Sequence, residues 1–289
     1  MDNNGSMDGI RNIEVREITD CIARLCVEAN ESLPEDVRRA LDRYRDMERE
    51  DLPRGILEKI IENYHIADDE HVPICQDTGM AVIFLEIGQD VHLTGGDLHD
   101  AVNEGVRRGY VDGYLRKSVV ADPIRRGNTG DNTPAMVTTE IVPGDHVRIT
   151  VAPKGFGSEN MSAIRMLKPS QGLEGVKDFI IDAVRAAGPN PCPPMIVGVG
   201  MGGTFDKAAL LAKKALLRPV DSSNPDPYYA ELEKELLERI NELDIGPQGL
   251  GGVTTALGLN VETLPTHIAG LPVAVNISCH VTRHGTEVI

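Results

Sequence analysis

The sequence predicts a mixed α/β fold, with a helical N-terminal layer over residues 1–70 packed on a mixed-sheet α/β body over residues 71–289, as a single domain. Two observations carry this prediction. The first seventy residues repeat apolar side chains at helical spacing. From residue 71 on, short branched-apolar runs alternate with helical stretches.

In the N-terminal part, Val15, Ile18, Ile22, Leu25 and Ala29 fall on one helical face. Val37, Leu41, Tyr44 and Met47 repeat the pattern after the start signal Ser32-Leu33-Pro34-Glu35. Ile56, Leu57, Ile60, Ile61 and Tyr64 form a third helix opened by Pro53. In the body, "MAVIFLEIG" reads as a strand closed by Gly88, and "GGDLHDAVNEGVRRGYVDGYL" as a helix with Leu98, Val102, Val106 and Tyr110 in register. "AMVTTEIVPGDHVRITVAPKG" reads as two strands of a hairpin turning at Pro143-Gly144-Asp145. A helix over "GVKDFIIDAVRAAG" stops at Gly188, "MIVGVG" is a buried strand, and "DKAALLAKKALL" and "PYYAELEKELLERINEL" are helices. The tail alternates glycine-rich loops with the strands "TTALGLNVET" and "PVAVNIS".

The 289 residues include no Trp and only 3% aromatics, so the core must be aliphatic. A net charge of −16, from 45 acidic and 29 basic residues, disfavours nucleic acid and anionic membranes as partners. It leaves small anionic substrates open, because local Arg and Lys can reverse the field in a cleft. The N-terminal stretch "MDNNGSMDGIRNIEVREI" lacks the apolar core of a secretion signal, and no apolar run approaches the roughly 18 residues of a membrane span. A cytoplasmic protein is expected. Five cysteines in this length do not make a disulfide scaffold.

Cys21 and Cys26 lie on the first helix and read as small buried hydrophobes. Cys75 in "VPICQDTG", Cys192 in "GPNPCPPMIVG" and Cys279 in "VAVNISCHVTRHG" each sit in a polar or proline-rich loop at the end of a strand-like run. Such loops are where α/β folds place their chemistry. No two of these are close enough in sequence for a Cys-x-x-Cys zinc site. Dispersed loop cysteines can be unrelated thiols. Should they converge, three thiolates can hold three irons of a [4Fe–4S] cube, leaving one iron open as a Lewis acid suited to adding or removing water.

The segments "PICQDTG", "GYLRKSVVADPIRRGNTGDNTPA", "APKGFGSENMS", "GPNPCPPMIVGVGMGGTFDKAALLAKKAL", "THIAGLPVAVNISCH" and "RHG" occur in this order. From about residue 15 to the C-terminus the chain resembles the iron–sulfur class I fumarate hydratases and their tartrate dehydratase relatives. The resemblance implies that Cys75, Cys192 and Cys279 bind a [4Fe–4S] cluster with one open iron. It implies that Gln76 and Asp77 contact a dicarboxylate, with Asp77 as acid or base for the leaving hydroxyl. Arg116 would pair a substrate carboxylate, and His267 would lie at the substrate. The loop with Lys154, Gly155, Gly157, Ser158 and Glu159 would close over the site with backbone N–H groups. Each has a plainer reading. Arg116 follows a helix and can interact with its C-terminus, His267 follows Pro265 in a turn, and Asp77-Thr78-Gly79 is an ordinary turn tripeptide.

Single-chain members of that family continue into a second domain with further carboxylate-binding groups, whereas this sequence ends at Ile289. The resemblance is therefore to the α subunit of the two-subunit form. It implies a separate β subunit, an α2β2 heterotetramer, fumarate and (S)-malate as substrates and a place in the tricarboxylic acid cycle. The alternative is L(+)-tartrate dehydration. A rival of another class is an NAD-dependent dehydrogenase, because "GVGMGG" (Gly198–Gly203) fits G-x-G-x-x-G between a strand and a helix, with Asp221 beyond it. The motif comes late in the chain, Asp221 lies in no convincing second strand, and glycines there can instead permit close helix–strand packing.

Overall fold

The computed structural model describes residues 9–289, so the first eight residues of the stretch inspected for a leader lie outside it. The described residues begin with strand β1 (Arg11–Glu14) and helices α1 (Val15–Glu31), α2 (Glu35–Met47) and α3 (Asp51–Glu70). There follow β2 (Met80–Gly88), β3 (Val91–Thr94), α4 (Leu98–Asp112), β4 (Met136–Val142), β5 (Val147–Lys154), the single turn α5 (Phe156–Glu159) and β6 (Ala163–Leu167). The remainder is α6 (Gly172–Ala187), β7 (Met195–Gly203), α7 (Phe205–Ala215), α8 (Pro227–Asn241), β8 (Ala256–Thr266), β9 (Leu271–Ser278) and β10 (Gly285–Val288). The fold is mixed α/β. No helix among the described residues is long and apolar enough to cross a membrane.

Contacts divide the chain into two compact units, and neither is continuous in sequence. Among the described residues, the first contains 9–32, 71–154 and 283–289; the second contains 33–70 and 155–282. The three N-terminal helices are thus shared out, with α1 in the first unit and α2 and α3 in the second.

In the first unit one sheet runs β10-β5-β2-β4. β2 is buried along nearly all its length, as its unbroken apolar run requires. It pairs parallel with β4 and antiparallel with β5. The expected β4–β5 hairpin is therefore not formed, because β2 lies between the two strands. Their connection passes over the end of β2 instead. Gly88 donates its N–H to His146 O at 2.9 Å, and a Cβ on Gly88 would stand 2.3 Å from Gly144 O. A buried face of α1, including Ile18, Ile22, Leu25 and Cys26, shares a core with Ile83, Val106 and Val151. α4 approaches α1 closely through Gly105 and Gly109: a Cβ on Gly109 would meet Cys26 Cβ at 2.7 Å.

In the second unit the sheet order is β6-β9-β7-β8. β7 and β8 are parallel, while β9 runs antiparallel to both β7 and β6. Its core is aliphatic, built from α6, α8 and one face of the sheet around Val199, Ile180, Leu236 and Ile277. Of the α2 positions expected inside, Val37, Leu41 and Tyr44 are buried, but Met47 at the last turn is exposed.

This unit removes the dehydrogenase alternative. A nucleotide fingerprint needs its glycines in the turn between strand and helix. Here Gly198 and Gly200 lie within β7, which continues to Gly203. A Cβ on Gly198 would stand 2.1 Å from Ala212 O, and one on Gly200 would stand 2.1 Å from Ala208 O. The glycines are there because α7 lies directly on the strand. Asp221 is spent on Arg39, whose Nη2 lies 2.7 Å from its carboxylate.

Candidate active site

The candidate residues fall into two groups, one in each unit. In the first unit, the loop 71–79 leads into β2 and carries Cys75, Gln76 and Asp77. Cys75 and Asp77 are partly exposed and Gln76 is exposed. Asp77 N–H donates to Cys75 Sγ at 3.4 Å, and the Cys75 thiol approaches Gln76 Oε1 at 3.5 Å. Asp77 does form the turn that its tripeptide suggested: Oδ1 accepts the Gly79 N–H at 3.0 Å. Gly79 must be glycine, since its φ is +76° and a Cβ would stand 2.7 Å from the Lys154 backbone.

Buried polar groups lock this loop. Arg283, 5% exposed, donates from Nη2 to Asp77 O at 2.7 Å and from Nε to Asn30 Oδ1 at 3.1 Å. Tyr110 OH donates to Thr78 O at 2.9 Å. Thr78 Oγ1 accepts the Arg116 N–H at 2.9 Å, and that bond fixes the start of the 116–119 segment beside the loop. Arg116 itself is exposed, and its guanidinium has no hydrogen-bond or ion-pair partner among the described residues. It leaves α4 without using its charge on the helix C-terminus, which closes through the Gly113 N–H to Gly109 O.

Asn132 was not singled out in the sequence, yet it ties these parts together. It is fully buried with φ +65°. Oδ1 accepts the N–H groups of Ser118 (2.7 Å) and Val119 (3.2 Å), while Nδ2 donates to Gly79 O at 3.1 Å. The only available signal was the polar run "GNTGDNTPA", where Asn tolerates a left-handed backbone. Arg283 is likewise visible only as part of "RHG".

In the second unit, topology brings Cys192 and Cys279 to one end of a sheet. Cys192 lies just before β7, and Cys279 directly follows β9. These strands are antiparallel, with Ile196 opposite Ser278. His280 confirms the juxtaposition, its Nδ1 lying 2.9 Å from Cys192 O. Cys192 is exposed and Cys279 partly so. Gly157, in α5, faces the same loop, 3.9 Å from Asn190 O at its Cβ position.

The "KGFGSEN" segment is less loop-like than expected. Gly155 caps a single helical turn, with Ser158 Oγ donating to Gly155 O at 3.2 Å. The Glu159 carboxylate is held by Lys213 Nζ (2.6 Å) and Asn276 Nδ2 (2.9 Å). Lys154 is buried and ends β5 in the first unit.

His267 does not join Cys192 and Cys279 within this unit. β8 begins beside Met195, at the cysteine end, and runs away for 11 residues, or about 35 Å, before His267 turns the chain into β9. There the ring serves the turn: Nδ1 accepts the Ala269 N–H at 3.2 Å. That matches the plainer of its two readings.

All five cysteines are thiols rather than disulfides. Burial pushes Cys26 up to about 12; burial and, after it, the Glu287 carboxylate push Cys21 up to about 12. These two are poor thiolate donors, whereas the loop cysteines are open to solvent. Elsewhere the exposed Asp97, His99 and Asp100 each place one potential ligand atom within 4.8 Å of the others. Asp97 already caps α4 by accepting the Asp100 N–H at 3.0 Å.

The family model described as fumarate hydratase (fumerase) matches residues 19–288. The chain is 42% identical over 276 residues to a putative L(+)-tartrate dehydratase subunit alpha of Methanocaldococcus jannaschii, covering 94% of this chain and 97% of that protein. It is 34% identical over 279 residues to the L(+)-tartrate dehydratase subunit alpha of Escherichia coli K12, covering 95% and 91%. Hydration and dehydration are one reaction in two directions. A match of this extent, carried through both units, shows that the chain belongs to the fumarate hydratase (fumerase) family of hydro-lyases.

Proposed function

We propose that this chain is the α subunit of an iron–sulfur hydro-lyase that interconverts fumarate and (S)-malate, with its β partner in an α2β2 enzyme of the cytoplasm and the tricarboxylic acid cycle. The observation that carries the reading is the contrast among the cysteines. Two are buried and held protonated, and the other three are solvent-accessible in loops, two of them at one end of a sheet. That soft thiol set fits an iron–sulfur group. Cys75, Cys192 and Cys279 would hold a [4Fe–4S] cluster, which when bound supplies an open iron as a Lewis acid for the substrate hydroxyl and carboxylate.

The chain's own residues do the rest. Arg116 offers an unengaged guanidinium for one carboxylate, and its backbone position is set by Thr78. Gln76 donates to the same dicarboxylate from its carboxamide. Asp77 exchanges a proton with the departing or entering hydroxyl while its backbone is held by Arg283. Gly155 and Gly157 offer backbone N–H groups. The base for the C3 proton comes from the β chain. His267 is left out of this set, because its own sheet carries it to the end away from Cys192 and Cys279.

The names of the relatives favour a second reading, L(+)-tartrate as substrate. Anaerobic co-expression with the β chain, followed by assay on fumarate, (S)-malate and L(+)-tartrate, tests both. Turnover of fumarate and malate is expected. Turnover of tartrate alone would establish the second reading, and turnover of none of the three would refute both.

A further inference from the structure

We infer that Gln248 and His280 form a clamp that positions the Cys192 thiol to act together with Cys279 on one soft metal centre. The inference rests on the reading of these two cysteines as ligands and adds two positioning residues to it.

The need for a clamp follows from the sequence Cys192-Pro193-Pro194. Neither proline has an N–H. The N–H of Cys192 is spent on Pro189 O at 3.1 Å. The backbone from Cys192 to Pro194 therefore has no further N–H to offer, and its carbonyls are free to accept donors from other segments. Cys192 also sits at φ +55°, outside the region a non-glycine residue prefers. Such a conformation persists only where its surroundings enforce it.

Two side chains supply those donors to successive carbonyls. His280 Nδ1 lies 2.9 Å from Cys192 O, a bond that requires the proton on Nδ1. Gln248 donates twice to Pro193 O, from its backbone N–H at 2.8 Å and from Nε2 at 2.9 Å. The two side-chain donors stand 3.4 Å apart, side by side. Gln248 is itself at φ +54°, in a turn where a Cβ on Gly249 would stand 2.3 Å from Pro189 Cβ. His280 is the residue after Cys279. The clamp thus couples one ligand loop to the backbone next to the other.

The test uses the full-length chain carrying Cys75→Ser, metal-free and reduced, with Cd2+ as the probe. The ultraviolet thiolate-to-cadmium band, read in competition with a chelator, gives the affinity of the Cys192–Cys279 pair. Thermal unfolding is recorded alongside. His280→Ala and Gln248→Asn should each weaken Cd2+ binding about tenfold, the scale of one lost hydrogen bond to a positioned group, with little change in the unfolding midpoint. Asn tolerates the left-handed backbone at 248 but falls a methylene short of Pro193 O. His280→Asn places an amide donor where Nδ1 was and should recover most of the affinity. Three results would each overturn the clamp: Cd2+ affinity unchanged in both weakening variants, affinity lost only in step with unfolding, or no joint binding by the two thiols in the parent chain. None of these depends on hydro-lyase activity, so the substrate assay can fail or succeed independently.

Discussion

Thr78 and Arg116 hold one another in both directions. The Arg116 N–H donates to Thr78 Oγ1 at 2.9 Å, and the same hydroxyl donates to Arg116 O at 3.3 Å. Thr78 is 2% exposed, so no water replaces these bonds if they are lost. Thr78→Val keeps the shape and removes both. It should destabilise the fold by about 1–3 kcal/mol in urea denaturation. It should also raise KM for the dicarboxylate more than it lowers kcat, because it loosens the placement of a binding arginine. Thr78→Ser should restore most of both. An unaltered KM in a folded Thr78→Val enzyme would remove Arg116 from the proposed site.

Asn132 combines a backbone role with a hydrogen-bonding role, and two substitutions separate them. Asn132→Gly accepts φ +65° but leaves the Val119 N–H and Gly79 O without their partner. It should cost about 2–3 kcal/mol. Asn132→Ala adds the backbone strain and should cost about 1 kcal/mol more. Equal losses would show that the backbone conformation contributes nothing.

The helices and most strands could be read from periodicity, because each is a local consequence of which face is buried. The placement of Cys75, Cys192 and Cys279 in loops beside strands was readable as well, because the polar and proline-rich segments around them break the apolar runs. Three features were not. The β4–β5 hairpin failed because "VPGD" joins two strands that flank a third, and strand order depends on nonlocal pairing. The far-end position of His267 depends on β8 pairing parallel with β7, which no local pattern specifies. Asn132, Gln248 and His280 act through single polar contacts that have no sequence period.

The glycines of β7 give a third prediction. Gly198→Ala places a methyl where Ala212 O already stands at 2.1 Å. The strand and α7 must separate, at a cost of about 1–3 kcal/mol seen in thermal or chemical unfolding. Calorimetry of the wild-type protein with NAD should show no binding. Micromolar affinity for NAD would restore the dehydrogenase reading.

The cysteines give a fourth. In the native chain at pH 8, a thiol-specific disulfide reagent should react quickly with Cys75, Cys192 and Cys279 in the absence of metal, and with Cys21 and Cys26 only after denaturation. The same two buried thiols contribute to the pH dependence, alongside Tyr44, Tyr64 and Tyr110, which burial also pushes up. The thiols' folded values, pushed up to about 12, lie above the ordinary 9.0, so above pH 9 the unfolded chain releases protons that the folded chain keeps. Stability should therefore fall as pH rises from about 9 toward about 12, and Cys26→Ala should flatten that fall. A stability that rises over this interval would contradict the burial argument.

The most direct test of the central claim is the iron and acid-labile sulfide content of the enzyme prepared anaerobically with its β chain. Iron and sulfide are expected in the wild type and in Cys21→Ala, and their loss is expected in each of Cys75→Ser, Cys192→Ser and Cys279→Ser, together with loss of hydro-lyase activity. Full iron, sulfide and activity in any one of those three variants would contradict that claim, as would an active wild-type enzyme that contains neither iron nor sulfide.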